Sequence, residues 1–271
     1  MTKAELIHQI KSKKSVLCVG LDTDINKLPN GIEKTLDGAL EFNKQIIEAT
    51  KEYAVSYKIN TAFYEQYGSK GWDLMEATLD SIPKNCFSIA DAKRGDIGNT
   101  SKMYAKAFFE TMNFDSITVA PYMGEDSIKP FLEYENKWVI CLALTSNQGS
   151  IDFQNLELNN HKKLYHEVLA KASSWGNENN MMFVTGATKA ESLNEIRNII
   201  PNYFLLVPGV GAQGGTVKDV CDNGFNSEAG LLINASRSIL YASKDEDFAL
   251  KAAIEAKSLQ TEMADYISTL I

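Results

Sequence analysis

The sequence predicts an α/β protein, a single (β/α)8 barrel of the TIM type occupying residues 1–271. Three observations lead there. Eight short apolar runs follow one another along the chain, and amphipathic stretches separate most of them. The Gly-x-Gly-x-x-Gly turn of an open doubly wound sheet is missing after the first run, where Gly20-Leu21-Asp22 puts an acid instead. Strand and helix alternating eight times is the barrel pattern.

The runs are Val16 to Leu21, Ala54 to Ile59, Phe87 to Ala90, Ser116 to Ala120, Trp138 to Leu144, Met181 to Thr185, Phe204 to Val207 and Leu231 to Ile233. Most are nearly continuous in Val, Ile, Leu and Ala, as parallel strands buried on both faces require. Helices are expected over Leu36 to Tyr53, Asn99 to Met112, Leu164 to Ser174, Ala190 to Ile200 and Phe248 to Ile271. In the first of these, Leu36, Ala39, Leu40, Ile46 and Ile47 supply an inward face between Glu and Lys residues. The connection from Thr145 to about Asn160 is long and polar, and such loops in a compact domain are commonly functional.

At 271 residues the chain can build a core without staples or metals. A net charge of −8 argues against non-specific binding to nucleic acid or to an anionic membrane, while leaving a small anionic substrate open. Cys18, Cys86, Cys141 and Cys221 are widely spaced, with no C-x-x-C pair, and read as reduced structural thiols. His8, His161 and His166 read as surface or structural residues, since His161 and His166, five apart, do not share a helix face. Lys3, Lys11, Lys13 and Lys14 precede no long apolar stretch, so no signal peptide is expected, and no run reaches a membrane span. Cytoplasm is the expected compartment.

In barrels the C-terminal ends of the strands carry the active site, and here those ends are polar. Strand one ends in Asp22, strand two in Lys58 and Asn60, and strand three in Asp91 and Lys93. Strand five ends in Thr145 and Ser146, strand seven in Pro208 and Gly209, and strand eight in Asn234 to Arg237. Singly, each has a plain explanation as a cap, a snorkelling lysine or a solvated pair. Four charges converging on one barrel mouth do not, because half-buried charges are costly unless paired, and an alternating Lys/Asp array marks a functional site. The glycine-rich stretch Pro208 to Gly215, with Gln213 and Gly214 inside it, and the forked cation Arg237 occupy the positions where barrels hold phosphate.

The segment Asp91-Ala92-Lys93-Arg94-Gly95-Asp96-Ile97 resembles the D-x-K-x-x-D-I signature of the orotidine 5′-phosphate decarboxylases. Gly20-Leu21-Asp22, Tyr57-Lys58-Ile59-Asn60, Leu144-Thr145-Ser146-Asn147, Pro208 to Gly215 and Asn234-Ala235-Ser236-Arg237 are similar to that family's other blocks and stand in the same order. Pro121-Tyr122-Met123-Gly124 and the long connection after strand five resemble one branch of the family. The resemblance implies decarboxylation of orotidine 5′-phosphate to UMP, no cofactor or metal, and a homodimer. Lys93 would then be the proton donor, with Asp91 beside the scissile carboxylate holding it. Asp22 and Lys58 would bind ribose hydroxyls with Asn60 nearby, and Ser146, with Thr145 as a second candidate, would contact the pyrimidine. Pro208 would line the base pocket, Gln213 and Arg237 would bind the phosphate, and Gly209 and Gly214 would belong to the same substrate-binding set. Asp96, Ile97 and Thr100 would reach into the partner subunit's site.

These residue types suit the chemistry. Loss of CO2 leaves an electron pair in the plane of the ring, outside its π-system, and a preorganised ammonium can both stabilise and protonate it. Flanking carboxylates, Asp91 and Asp96, favour the charged lysine. Other phosphate-binding barrels remain alternatives: a sugar-phosphate epimerase, or a metal-using hexulose-phosphate synthase, which also carries a D-x-K-x-x-D block. A non-catalytic binding protein on the same scaffold would have no need of the charge array.

Overall fold

Eight parallel strands pair in sequence order and close where the first meets the last. They are β1 (Leu17–Gly20), β2 (Ser56–Asn60), β3 (Phe87–Arg94), β4 (Ser116–Val119), β5 (Trp138–Leu144), β6 (Met181–Thr185), β7 (Phe204–Pro208) and β8 (Leu231–Ala235). The computed structural model describes residues 1–186, 190–209 and 215–269. The barrel expected from the apolar runs is the barrel observed, and nearly every residue of those runs is buried, as strands covered on both faces must be.

Around it lie α1 (Lys3–Lys13), α2 (Leu36–Thr50), α3 (Ala62–Glu65), α4 (Ser69–Asp80), α5 (Gly98–Lys106), α6 (Glu125–Leu132), α7 (Leu164–Ala172), α8 (Ala190–Ile199), α9 (Val217–Gly224), α10 (Arg237–Leu240) and α11 (Phe248–Ser268). The five amphipathic stretches read from the sequence become α2, α5, α7, α8 and α11. Expected over Asn99 to Met112, α5 is α-helical for nine residues and then widens into a π-turn over Ala107–Thr111, burying Phe108 and Phe109. The remainder comprises α1 and α4, of 11 and 12 residues, and the shorter α3, α6, α9 and α10. In α9, Thr216 caps the start through Asp219 N–H, and Val217, Val220, Cys221 and Gly224 form the buried stripe. In α6, which contains Pro130, Gly124 at φ +91° leads into the first turn.

The N-terminal helix α1 lies across the strand-entry end of the barrel. A Thr2/Glu5 capping box starts it, Leu6 and Ile10 are buried, and Lys13 Nζ donates to Lys51 O and Ala54 O at 2.8 Å, at the entrance to β2. Packing therefore seals one end, while the opposite end stays open and polar. The four cysteines are free and buried. Burial pushes the Cys18, Cys141 and Cys221 thiols up to about 12, so they are protonated, inert core residues. No helix among the described residues is long and apolar enough to cross a membrane.

Candidate active site

The strand-exit end of the barrel opens into a cavity of about 570 Å³. Its lining holds Asp22, Lys58, Asn60, Asp91, Lys93, Thr145, Ser146, Pro208, Gly209 and Arg237 from the sequence-derived set. Strand order brings them together: β8, β1, β2 and β3 are consecutive neighbours, so their C-terminal residues form one continuous wall.

That wall is a chain of ion pairs. Lys58 Nζ lies 3.3 Å from Asp22 Oδ1 and 3.0 Å from Asp91 Oδ2, and Lys93 Nζ lies 2.6 Å from Asp91 Oδ1. Lys58 is 4% exposed, so it does not snorkel to solvent. Burial works against its charge, but Asp91 and Asp22 outweigh burial and hold its pKa above the ordinary lysine value. Burial likewise opposes the charge of Asp91, yet Lys58 and Lys93 outweigh it and hold that carboxyl well below the usual range. Each charge is thus retained only because its neighbours are.

The array is braced from behind and from the side. Tyr64 Oη donates to Leu21 O at 3.0 Å, and Asn43 Nδ2 donates to Tyr64 Oη and Thr78 Oγ1 at 3.1 Å, all of these residues being buried. This fixes the backbone beside Asp22. On the β8 side, Ser236 Oγ donates to Asp22 Oδ2 at 2.9 Å. Gly20 makes that contact possible, since a Cβ there would stand 1.9 Å from Ser236 Oγ.

The other half of the cavity is different in character. Leu142, Val184 and Leu206, from β5, β6 and β7, give it an apolar floor, with Thr145 and Ser146 at its edge. Gly186 at the end of β6 leaves room for Ser146, whose backbone nitrogen would lie 2.8 Å from a Cβ at that position. Gln154 folds the long connection back onto β5: Thr145 N–H donates to its Oε1 at 2.7 Å, and its Nε2 donates to Thr145 Oγ1 at 2.9 Å. Pro208, Gly209 at φ +100°, and the exposed Arg237 stand at the β7–β8 side. Gln213 and Gly214 fall outside the described residues.

Asp96, Ile97 and Thr100 stand apart from this cavity. Asp96 Oδ1 accepts the Ile97 N–H at 2.8 Å, Ile97 is the N-cap position of α5, and Ile97 is 56% exposed. Among the described residues, the ion-pair partner of Lys93 within its own chain is Asp91. The three histidines are also away from the cavity lining.

Sequence reading missed Asp24, Lys27, Phe63 and Tyr241, which line the opening, and placed Asn234 and Ser236 at the end of strand eight without giving either a role in the wall. Tyr241 lies four residues after Arg237 on the turn of α10, and its hydroxyl accepts the Asp24 N–H at 2.9 Å. Among the described residues, no group of three or more His, Cys, Asp or Glu side chains is arranged to hold a metal ion.

The arrangement joins alternating buried charges, an apolar floor with polar edges and an exposed arginine in one opening. Comparison with known proteins places the whole chain among its relatives. The model of the orotidine 5′-phosphate decarboxylase / HUMPS family matches residues 15–253. The orotidine 5′-phosphate decarboxylase of Flavobacterium johnsoniae is 56% identical over 272 residues, which is 99% of each chain. The structure of Leishmania donovani OMP decarboxylase superposes with a TM-score of 0.82 at 36% identity, covering 96% of this chain and 100% of that one. Leishmania donovani UMP synthase gives a TM-score of 0.82 at 38% identity, covering 94% of this chain and 56% of the longer one. The chain belongs to the orotidine 5′-phosphate decarboxylase / HUMPS family.

Proposed function

We propose that residues 1–271 act as a single barrel domain that decarboxylates orotidine 5′-phosphate to UMP and CO2, the UMP-forming step of pyrimidine nucleotide synthesis, in the cytoplasm. The observation that carries this reading is the Asp22–Lys58–Asp91–Lys93 array on one wall of the cavity. Lys93 is its exposed end, with the ammonium facing the opening and anchored by Asp91. A carbanion formed at C6 of the pyrimidine has no electron sink in the ring. An ammonium held in place beforehand stabilises that charge without reorganisation and then donates a proton to the same carbon. Asp91, kept ionised by two lysines, would sit beside the scissile carboxylate and disfavour that bound anion.

The remaining roles follow the two halves of the cavity. Asp22, Lys58 and Asn60 bind the ribose hydroxyls on the charged wall, while the base lies against Leu142, Val184 and Leu206 with Ser146 and Thr145 on its polar edge. Pro208 and Gly209 border the base, and Arg237, with Gln213 and Gly214, takes the phosphate. Phosphate binding energy, remote from the breaking bond, is available to organise the site. The chemistry proposed uses the lysine ammonium in place of a cofactor or metal.

We further propose a homodimer with shared sites. Supporting it, Asp96, Ile97 and Thr100 lie outside the lining of their own chain's cavity, and Ile97 and Met103 are exposed apolar side chains at the start and in the body of α5. A two-fold axis through such a surface would place each copy's residues at its partner's opening.

The test is CO2 release from orotidine 5′-phosphate, with and without a chelator, by the parent protein and by Lys93→Ala. Removing a proton donor that also stabilises the carbanion should slow turnover by at least about 10²–10⁴-fold, with the fold retained. Activity of Lys93→Ala within a few-fold of the parent would sink the proposed role, and dependence on a metal would favour the synthase chemistry of the family.

A further inference from the structure

Between Ala90↔Ile117 and Arg94↔Val119 the ladder joining β3 to β4 slips: β3 advances four residues while β4 advances two. Asp91, Ala92 and Lys93 therefore bulge out opposite a single residue, Thr118. Lys93 has φ +48°, a left-handed conformation that a lysine adopts at a cost and keeps only where its surroundings impose it. Bulges of this kind re-aim a side chain, and this one directs the Lys93 ammonium back onto Asp91 Oδ1.

A bulge also removes backbone groups from the ladder, and they need partners. The Lys93 N–H donates to Thr118 Oγ1 at 2.9 Å. The same oxygen lies 3.0 Å from Asp91 Oδ1, to which Thr118 donates its only hydroxyl hydrogen. Thr118 is fully buried. One hydroxyl thus accepts from the backbone of the lysine and donates to the carboxylate that holds the lysine's side chain, closing a small ring around the bulge.

We infer that Thr118 is a positioning residue, whose hydroxyl sets both the left-handed backbone of Lys93 and the carboxylate orientation of Asp91. The inference rests on the decarboxylase reading for its kinetic consequence, though its structural consequence does not depend on it. Without the hydroxyl, the Lys93 N–H loses its acceptor and Asp91 loses a donor. The bulge then relaxes toward an ordinary strand conformation and carries the ammonium away from its place.

Thr118→Val, nearly the same in shape but without the hydroxyl, is the informative variant, with Thr118→Ser as the conservative rescue. Misplacement of a reacting group by about 1 Å can cost about 10²-fold, so kcat of Thr118→Val should fall by about 10- to 100-fold. KM and the Kd for UMP should stay within about threefold, since the binding residues are untouched. Thr118→Ser should remain within about threefold of the parent. A Thr118→Val kcat near the parental value, or a Thr118→Ser protein as slow as Thr118→Val, would overturn the inference. Should the valine variant fail to fold, Thr118→Ala against Thr118→Ser gives the same contrast. A crystal structure of the valine or alanine variant tests the inference apart from any activity: Lys93 should leave the left-handed region, and retention of φ near its present value with Nζ still on Asp91 would refute it. Failure of the decarboxylase reading is recognised separately, by a parent protein that releases no CO2.

Discussion

Lys58 Nζ stands 3.0 Å from Asp91 Oδ2 and 3.3 Å from Asp22 Oδ1, so one buried ammonium on β2 joins the carboxylates at the ends of the strands on either side of it. The relationship fixes how the molecule responds to pH. Asp91 is held below its unfolded pKa, so its contribution to stability is full above about pH 4 and fades as pH falls below that. Lys58 is held above its unfolded pKa, so its contribution is full below about pH 10.4 and is lost only as pH rises past that. Both groups are charged across the neutral range.

Lys58→Met removes the cation and leaves Asp91 and Asp22 facing each other with Lys93 alone to compensate. The Asp91 carboxyl should rise toward or beyond its ordinary value. Removing one partner from a buried pair typically costs about 3–5 kcal/mol, and that deficit should be seen near pH 7 in urea denaturation. Near pH 3 the carboxylates of the variant are protonated, so the gap to the parent should narrow. A deficit that stays constant from pH 3 to 7 would show that lost packing, not charge, is responsible.

Arg237 is exposed at the rim, far along the wall from Lys93, and is proposed to hold the phosphate. A charge-assisted hydrogen bond contributes about 1.5–3 kcal/mol, so Arg237→Ala should lower kcat/KM for orotidine 5′-phosphate by about 10- to 100-fold. If phosphate binding also organises the site, kcat falls along with affinity, and added guanidinium restores part of the loss. An unchanged kcat/KM would remove Arg237 from the phosphate site.

Gly20 gives a test of the β8–β1 seam. A methyl group there would meet Ser236 Oγ at 1.9 Å and Asn234 Oδ1 at 3.1 Å. Gly20→Ala therefore has to push Ser236 off Asp22, which frees the carboxylate that anchors one side of Lys58. The expected result is a raised KM for orotidine 5′-phosphate, with far-UV circular dichroism unchanged. Ser236→Ala, which removes the same hydrogen bond without a clash, should reproduce part of that rise. A Gly20→Ala protein with parental KM would mean that Asp22 keeps its place without Ser236.

The barrel was legible because burial on both faces leaves a compositional mark: eight apolar runs in which alternation is suppressed. The wall was legible because Asp22, Lys58, Asp91 and Lys93 interrupt such runs at their ends, where a charge is costly without a partner. What escaped depends on contacts between elements distant in sequence. Thr118 looks like any β-branched residue of β4, and only the slipped register turns its hydroxyl toward Lys93. Ser236 meets Asp22 across 214 positions of chain, in space vacated by a missing Cβ. The short helices α3, α9 and α10 hold too few turns for their periodicity to stand out. The apolar run of β3 ends at Ala90, yet pairing continues to Arg94, because hydrogen bonding to β2 and β4 does not require apolar side chains.

Asp96 and Thr100 supply the sharpest test of the proposed dimer. They are four residues apart at the start of α5, outside their own cavity, on a surface that also exposes Ile97 and Met103. If that surface crosses a two-fold interface, each site takes Lys93 from one chain and Asp96 from the other. Lys93→Ala and Asp96→Ala should each be inactive as pure proteins. In a mixed dimer one site collects both lesions, while the other receives an intact Lys93 and an intact Asp96. Random pairing of equal amounts makes half of the dimers mixed, with half of their sites intact, so about a quarter of parental activity should return after the two are unfolded together and refolded. If Asp96 serves its own chain, every site keeps one lesion and nothing is restored. A tagged subunit verifies that exchange has taken place, so a mixture that exchanges and stays inactive would rule out shared sites while leaving the Lys93 chemistry standing.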